Sequence, residues 1–173
     1  VYMLWYYLYL PGESGLLNTI LASFGIDPQP WLQDAGTSIL WIVITMTWQS
    51  FGGSTLMYLA ALQGINRELY EAAEIDGAGM RKRLRYIMLP EIYPIALLLF
   101  IRQIIGVFQV MEQPLAMTGG GPNGASTSLA LLAYKYAFEY FQFDKAMATG
   151  VITFIILVMI TGVYLVLEKK MND

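Results

Sequence analysis

Residues 63–90 read QGINRELYEAAEIDGAGMRKRLRYIMLP, a pattern that predicts two short helices joined by a glycine corner. Asn66 is a suitable N-terminal helix cap, and the acidic residues that follow it favour the positive end of a helix dipole. Gly77 and Gly79 predict a sharp stop, because glycine adopts the left-handed or otherwise open backbone that a corner needs. The second helix is basic on one side, apolar on the other, and extends to Pro90.

Long stretches with almost no charge lie on both sides of this segment. Residues 35–66 contain no charged residue, 92–111 contain only Arg102, and 146–167 contain none. A charge at mid-bilayer costs about 2.5–3.5 kcal/mol, and about 20 apolar residues cross a hydrocarbon core about 30 Å thick. The pattern therefore predicts three membrane spans: 37–62, 92–113 and 144–168.

Composition favours an all-α, polytopic helical bundle in a lipid bilayer over a soluble enzyme. Of the 173 residues, 57% are hydrophobic and only 13% are charged. The sequence has no cysteine and no histidine, so disulfide scaffolds, thiol nucleophiles, histidine triads and the usual zinc and haem ligand sets are excluded. A net charge of −3 gives no support for nucleic-acid binding. We expect no catalytic residues, no metal, no cofactor and no nucleic-acid partner.

Lysine and arginine set the expected orientation, because these residues are retained on the cytoplasmic side. The connection 63–91 holds five of the ten, residues 1–36 hold none, and 112–145 hold two. With three crossings, this distribution predicts that 63–91 and the C-terminus are cytoplasmic and that 114–143 is an outer segment. Residues 1–10 are apolar but too short to cross, and are expected to be the end of a span truncated upstream.

The 63–91 segment resembles the EAA signature of ABC importer permeases. The matching residues are Glu71, Ala72 and Ala73, then Asp76, Gly77 and Ala78, and finally Leu89 and Pro90. A bare triplet would carry no weight, but the whole pattern between two spans is highly specific. The resemblance implies a coupling helix that seats in an ATP-binding subunit. On composition alone, the segment also fits an amphipathic loop whose basic half meets anionic headgroups.

Other parts of the chain resemble the sugar-transport branch of this family, similar to maltose and glycerol-3-phosphate permeases. The resemblance covers about residues 12–168 and rests on these stretches: 15–18, 31–32, 62–63, 108–109 and 117–122. Residues 111–114 and Arg102 depart from the family pattern. The resemblance implies the C-terminal portion of a type I ABC importer permease core in the inner membrane. Its implied partners are an ATP-binding subunit, a second permease subunit and an extracytoplasmic substrate-binding protein.

Polar residues inside the predicted spans mark a candidate substrate path. We assign Trp48, Gln49, Arg102 and Gln109 to it, because aromatic faces stack on sugar rings and amides both donate to and accept from hydroxyls. On a continuous 92–113 helix, Arg102 lies near the bilayer midplane and shares a stripe with Gln109 and Gln113. Arg102 has two possible roles: a buried pair with a carboxylate, or a donor fork to the substrate.

A secondary transporter or channel subunit for a small polar solute is the alternative function. Such a protein should carry an intramembrane carboxylate for ion coupling, and the three charge-poor stretches contain none.

The glycine-rich stretch 119–124 formally satisfies G-x-G-x-x-G, but its context argues against a nucleotide site. It follows a membrane helix, contains proline and lacks the Lys-Ser/Thr of a P-loop. We predict a tight, mobile turn there, followed by an outer helix over 126–140. The aromatic face of that helix suits either the membrane interface or, as the resemblance implies, the neighbourhood of a docked binding protein.

Overall fold

The computed structural model describes residues 1–172, and within that range all regular secondary structure is helical. Its α-helices are α1 (Tyr2–Leu8), α2 (Leu16–Ser23), α3 (Ser38–Gln63), α4 (Arg67–Ile75), α5 (Met80–Arg83), α6 (Leu89–Phe108), α7 (Glu112–Thr118), α8 (Leu129–Tyr134) and α9 (Phe143–Asn172). Short 3-10 helices cover Gly12–Ser14 and Trp31–Gln33, and π-helical turns cover Leu84–Met88 and Lys135–Glu139. The predicted all-α class is confirmed.

Two helical stretches of the described chain, Met80–Phe108 and Phe143–Val166, are long and apolar enough to cross a membrane. They overlap the second and third predicted spans. Helix α3 has 26 residues, which gives a length of about 39 Å, but its apolar residues are diluted by threonine, serine, glycine and glutamine. The span at 37–62 therefore stays a prediction that helix length supports.

The predicted continuous helix over 92–113 is wrong at its C-terminal end, because α6 ends at Phe108. Pro114 accounts for the break: it has no N–H to give to the carbonyl of Val110, four residues earlier, and its ring would clash with that carbonyl. The Ser128 hydroxyl donates to the Val110 carbonyl instead. Pro114 then sits in the first turn of α7, where a missing N–H costs nothing.

The chain divides into two compact units. One consists of residues 1–49 and 105–159, and its core is an aromatic cluster near the end of α1. The Trp31 and Trp41 rings lie 4.6 Å apart, centroid to centroid, and the Tyr9 ring lies 5.9 and 5.6 Å from them.

Asn18 is the polar centre of this first unit and is 1% exposed. Its amide nitrogen donates to the carbonyls of Leu10 and Gln29, at 3.2 and 3.0 Å. Its oxygen accepts from the Gln29 N–H at 2.9 Å and from the Trp31 indole N–H at 2.7 Å. One side chain therefore closes the loop between α2 and the Trp31 turn.

The other unit consists of residues 50–104 together with the chain from 160 onward. In this unit α5, which we call the lead-in helix, and the apolar helix α6 form one continuous element. A π turn joins α5 to α6, with the Leu89 N–H donating to the Leu84 carbonyl. The helix then passes through Pro90, its second residue, and through Pro94 without a break.

Candidate functional site

Helix α4 begins as the sequence predicts, with Asn66 as its cap. The Asn66 side-chain oxygen accepts from the Glu68 N–H at 3.0 Å, which satisfies one of the donors that every helix start leaves free. The Glu71 carboxylate lies 3.3 Å from the Arg67 guanidinium, but the two side chains are 64% and 91% exposed. Such a pair contributes little to stability, so the Glu71 carboxylate is available to a partner.

The corner after α4 is a Schellman motif centred on Gly77. The Ala78 N–H donates to the Ala73 carbonyl at 2.8 Å, and the Gly77 N–H donates to the Glu74 carbonyl at 3.0 Å. Gly77 has φ +67°, the left-handed conformation that this motif requires. The spacing between the two alanines and the later glycine is therefore the spacing of a helix end, and the predicted corner is confirmed.

The Arg83 side chain links α5 to the corner and to α4. Its Nε donates to the Ala78 carbonyl at 2.9 Å, and its Nη2 lies 3.8 Å from the Glu74 carboxylate. The Arg83 side chain is 27% exposed. Nothing in the sequence distinguishes Arg83 from the other basic residues of the same run, so its role emerges only from the structure.

The surface of this segment presents both charge and apolar area. Ile75 is 87% exposed and Met80 is 69% exposed, on either side of the corner. Exposed apolar side chains close in sequence to acidic ones suit a protein-docking surface. The signature residues are distributed as follows: Glu71, Ala72, Asp76, Gly77, Leu89 and Pro90 are exposed, while Ala73 and Ala78 are half-buried.

Trp48 and Gln49 lie in the middle of α3 and are exposed. The Trp48 ring makes an edge contact with the Trp5 ring, with centroids 5.3 Å apart. Trp48 thus has one aromatic neighbour, while 62% of the residue stays accessible. An aromatic platform of this kind can stack on a flat apolar ligand face.

The predicted stripe through Arg102, Gln109 and Gln113 is wrong, because the helix ends before Gln109. Gln109 lies in the break after α6 and is exposed. Gln113 belongs to α7, where its amide donates to the Tyr2 hydroxyl at 3.0 Å. Arg102 is six residues before the end of α6, about 9 Å along the helix, so it lies beyond the midpoint of this helix. Pro114 is the sequence signal for this break.

The glycine-rich outer segment forms a turn that is hydrogen-bonded along its length. The Ser126 hydroxyl donates to the Gly121 carbonyl at 2.7 Å, and the Thr127 hydroxyl donates to the Gly120 carbonyl at 3.0 Å. The Lys135 ammonium donates to the Gly119 carbonyl. The helix after it begins at Leu129 rather than 126, because Ser128 serves as its cap.

Comparison with known proteins gives a match over the whole chain. The family described as binding-protein-dependent transport system inner membrane component matches residues 1–173. The trehalose/maltose transport system permease protein of Thermococcus litoralis is 37% identical over 159 residues, which is 92% of this chain and 54% of that protein. The sulfoquinovosyl glycerol transport system permease protein of Agrobacterium fabrum is 33% identical, over 93% of this chain and 51% of that protein.

A third relative and a solved structure agree with this family match. The sn-glycerol-3-phosphate transport system permease protein of Yersinia enterocolitica is 33% identical, over 98% of this chain and 58% of that protein. A bacterial ABC transporter involved in the import of the acidic polysaccharide alginate has the same fold, with a TM-score of 0.82 at 21% identity over 99% of this chain and 60% of that one.

The chain spans about half the length of the curated relatives it matches. The match confirms the family resemblance that the EAA-like segment predicts, and the names of these relatives agree with the sugar-transport branch that other stretches of the chain predict. The residues that carry that resemblance form the capped helix, the glycine corner and the lead-in helix described above. This chain belongs to the family of binding-protein-dependent transport system inner membrane components.

Proposed function

We propose that this chain is part of the permease subunit of an ATP-driven, binding-protein-dependent importer that moves a carbohydrate across the cytoplasmic membrane. One observation carries the proposal: the exposed helix α4, closed by the Gly77 corner, is followed by a lead-in helix that runs without a break into an apolar helix. A force applied to α4 would therefore reach a membrane helix through continuous backbone.

The proposed source of that force is a separate ATP-binding subunit. When it closes on ATP, it pushes on α4, and the permease changes from inward-facing to outward-facing. The exposed Glu71 carboxylate and the exposed Ile75 side chain supply the charged and apolar contacts for such a docking. The Schellman corner and the hydrogen bond from Arg83 to the Ala78 carbonyl hold α4 at a fixed angle to the lead-in helix, as a mechanical coupling requires.

The proposed topology places α3, α6 and α9 across the bilayer. Residues 63–91 and the C-terminus then lie in the cytoplasm, and 114–143 lies outside. The distribution of lysine and arginine supports this orientation. The outer segment is where an extracytoplasmic substrate-binding protein would deliver its ligand.

The proposed substrate path is lined by Trp48, Gln49, Arg102 and Gln109, and a second permease subunit completes it. The names of the relatives include trehalose and maltose, and also sulfoquinovosyl glycerol and glycerol 3-phosphate. All of these solutes are rich in hydroxyl groups. An exposed indole face and amide groups suit such ligands, since the former stacks and the latter bond hydroxyls in either direction.

Reconstitution tests this proposal. The full-length protein, assembled with its ATP-binding subunit and second permease in proteoliposomes, should take up radiolabelled carbohydrate only when ATP and the binding protein are both present. A Glu71→Lys variant should insert normally but lose the ATP-binding subunit and uptake, whereas Lys169→Gln, an exposed change on α9, should not. Uptake driven by an ion gradient without ATP would instead establish the secondary-transporter alternative.

A further inference from the structure

Arg102 is a full positive charge in the apolar part of α6. The helix runs from Leu89 to Phe108, 20 residues or about 30 Å, which equals the thickness of a bilayer's hydrocarbon core. With Phe108 at the outer boundary, Arg102 is about 9 Å inside it. Charged residues at such depth are rare and face a protein interior or a water-filled cavity.

The direction of the Arg102 side chain makes it difficult for the guanidinium to reach the outer membrane surface. Side chains of an α-helix lean toward its N-terminus, which for α6 is the cytoplasmic end in the proposed topology. The Arg102 guanidinium therefore leans toward the middle of the membrane. In the structure its Nη1 reaches the Met57 sulfur of α3, at 3.9 Å, and the residue remains exposed.

The described part of the chain provides no counter-charge for this guanidinium. A thioether sulfur is a weak acceptor, and a guanidinium has five N–H donors. The ion pairs among the described residues join Arg67 to Glu71 and Arg83 to Glu74. The acidic residue nearest to Arg102 on the N-terminal side of its own helix is Glu91, eleven residues or about 16 Å away.

The three charge-poor stretches offer no carboxylate either. Residues 35–66, 92–111 and 146–167 contain no acidic residue. The guanidinium has a planar donor fork that matches carboxylate, sulfonate and phosphate groups, with two parallel hydrogen bonds. An anion that arrives from solution fits an arginine that is exposed, unpaired among the described residues and located in the permeation segment.

We propose that Arg102 binds an anionic group of the transported solute, so that the substrate is an acidic sugar or polyol carrying a carboxylate, sulfonate or phosphate. This inference rests on the proposed function and narrows its substrate class. Arg102 would then select the charged members of a carbohydrate series against their neutral counterparts.

The test uses the full importer with its binding protein in proteoliposomes. Uptake is measured for carbohydrates offered as matched pairs, such as maltobionate with maltose and digalacturonate with galactobiose. The wild-type importer should take up an acidic member at least about tenfold faster than its neutral partner, since charge-assisted bonds of this kind shift affinity by about ten- to a hundredfold. Arg102→Gln should lower that uptake by a similar factor at an unchanged amount of assembled complex.

Two further variants separate charge from structure. Arg102→Lys keeps the charge without the fork and should retain more acidic-sugar uptake than Arg102→Gln. Gln103→Leu removes the neighbouring exposed polar group of the same helix and should behave as wild type. Unaltered uptake in Arg102→Gln, or its failure to assemble while Arg102→Lys assembles, would overturn the proposal. The second outcome would identify a protein carboxylate as the partner of Arg102.

The same experiment distinguishes failure of the anionic-substrate proposal from failure of the proposed importer function. ATP-driven, binding-protein-dependent uptake of neutral sugars alone would reject an anionic substrate and leave the importer intact as a conclusion. Uptake that needs neither ATP nor the binding protein would reject the importer itself and, with it, the anionic substrate that rests on it.

Discussion

Replacing Gly77 with valine should loosen the corner between α4 and α5 through backbone conformation alone. A Cβ atom built at Gly77 meets no atom within 4 Å, so no steric clash with a neighbour contributes. The cost comes from φ +67°, since a left-handed conformation costs a non-glycine residue about 1–2 kcal/mol and a β-branched residue up to about 3 kcal/mol. A cost of about 2 kcal/mol corresponds to about a thirtyfold shift toward the open corner.

Hydrogen exchange at the Ala78 amide measures this shift directly, because that N–H is held by the Ala73 carbonyl at 2.8 Å. In the assembled importer, Gly77→Val should accelerate exchange there by about ten- to a hundredfold, while membrane insertion persists. Retention of the ATP-binding subunit and uptake should fall with it. Gly77→Asn should be milder, because asparagine tolerates the left-handed region.

Gly79→Val is the matched control. Gly79 lies two residues away, also has open space around a Cβ, but has φ −67° and ψ 167°, which valine adopts without strain. Its exchange rates at Ala78 should stay close to wild type. If the Gly77→Val and Gly79→Val variants exchange and transport alike, the left-handed corner is not what holds α4 in place.

Single cysteines at Arg81 and Asn123, in a full-length background without other cysteines, should label from opposite membrane faces; labelling of both from outside in intact cells would reverse the proposed topology. Gly120→Ala should destabilise the outer segment far more than Gly124→Ala in limited proteolysis. Both glycines have positive φ, but only a Cβ at Gly120 comes within 2.6 Å of a neighbouring hydroxyl oxygen; equal effects would rule out packing as the cause. Asn18→Ala should lower the thermal stability of the detergent-solubilised protein, because it leaves buried groups unbonded at about 1–3 kcal/mol each; an unchanged melting temperature would contradict the central role given to Asn18.

The features predictable from sequence are those held by neighbours along the chain. The Asn66 cap bonds two residues ahead, and the Gly77 corner closes with bonds spanning three to five residues. Such short-range geometry is encoded by residue type and spacing. The break after Phe108 also had a local signal in Pro114, four residues beyond Val110, although the low charge of the region favoured one long span.

Other features depend on residues that are far apart. Asn18 looks like an ordinary polar residue in an apolar helix, yet it bonds groups eight to thirteen residues away. Arg83 is one basic residue in a run, and only the return of the chain at Gly77 brings it to the Ala78 carbonyl. Ser128 bonds Val110 across eighteen residues. Spacing alone does not identify these pairs, because many partners are compatible with the same sequence.

Local rules along the chain suffice to predict the membrane character, the all-helical class, the family and the position of the Gly77 corner, because hydropathy, charge and turn chemistry act residue by residue and over a few neighbours. Long-range contacts, by contrast, fix how the Val110 carbonyl and the glycine-rich outer segment are hydrogen-bonded. They also leave Arg102, among the described residues, with a thioether sulfur as its one acceptor. These features depend on which distant groups come into contact. The free energy of each contact depends on all the segments that compete for the same donors and acceptors.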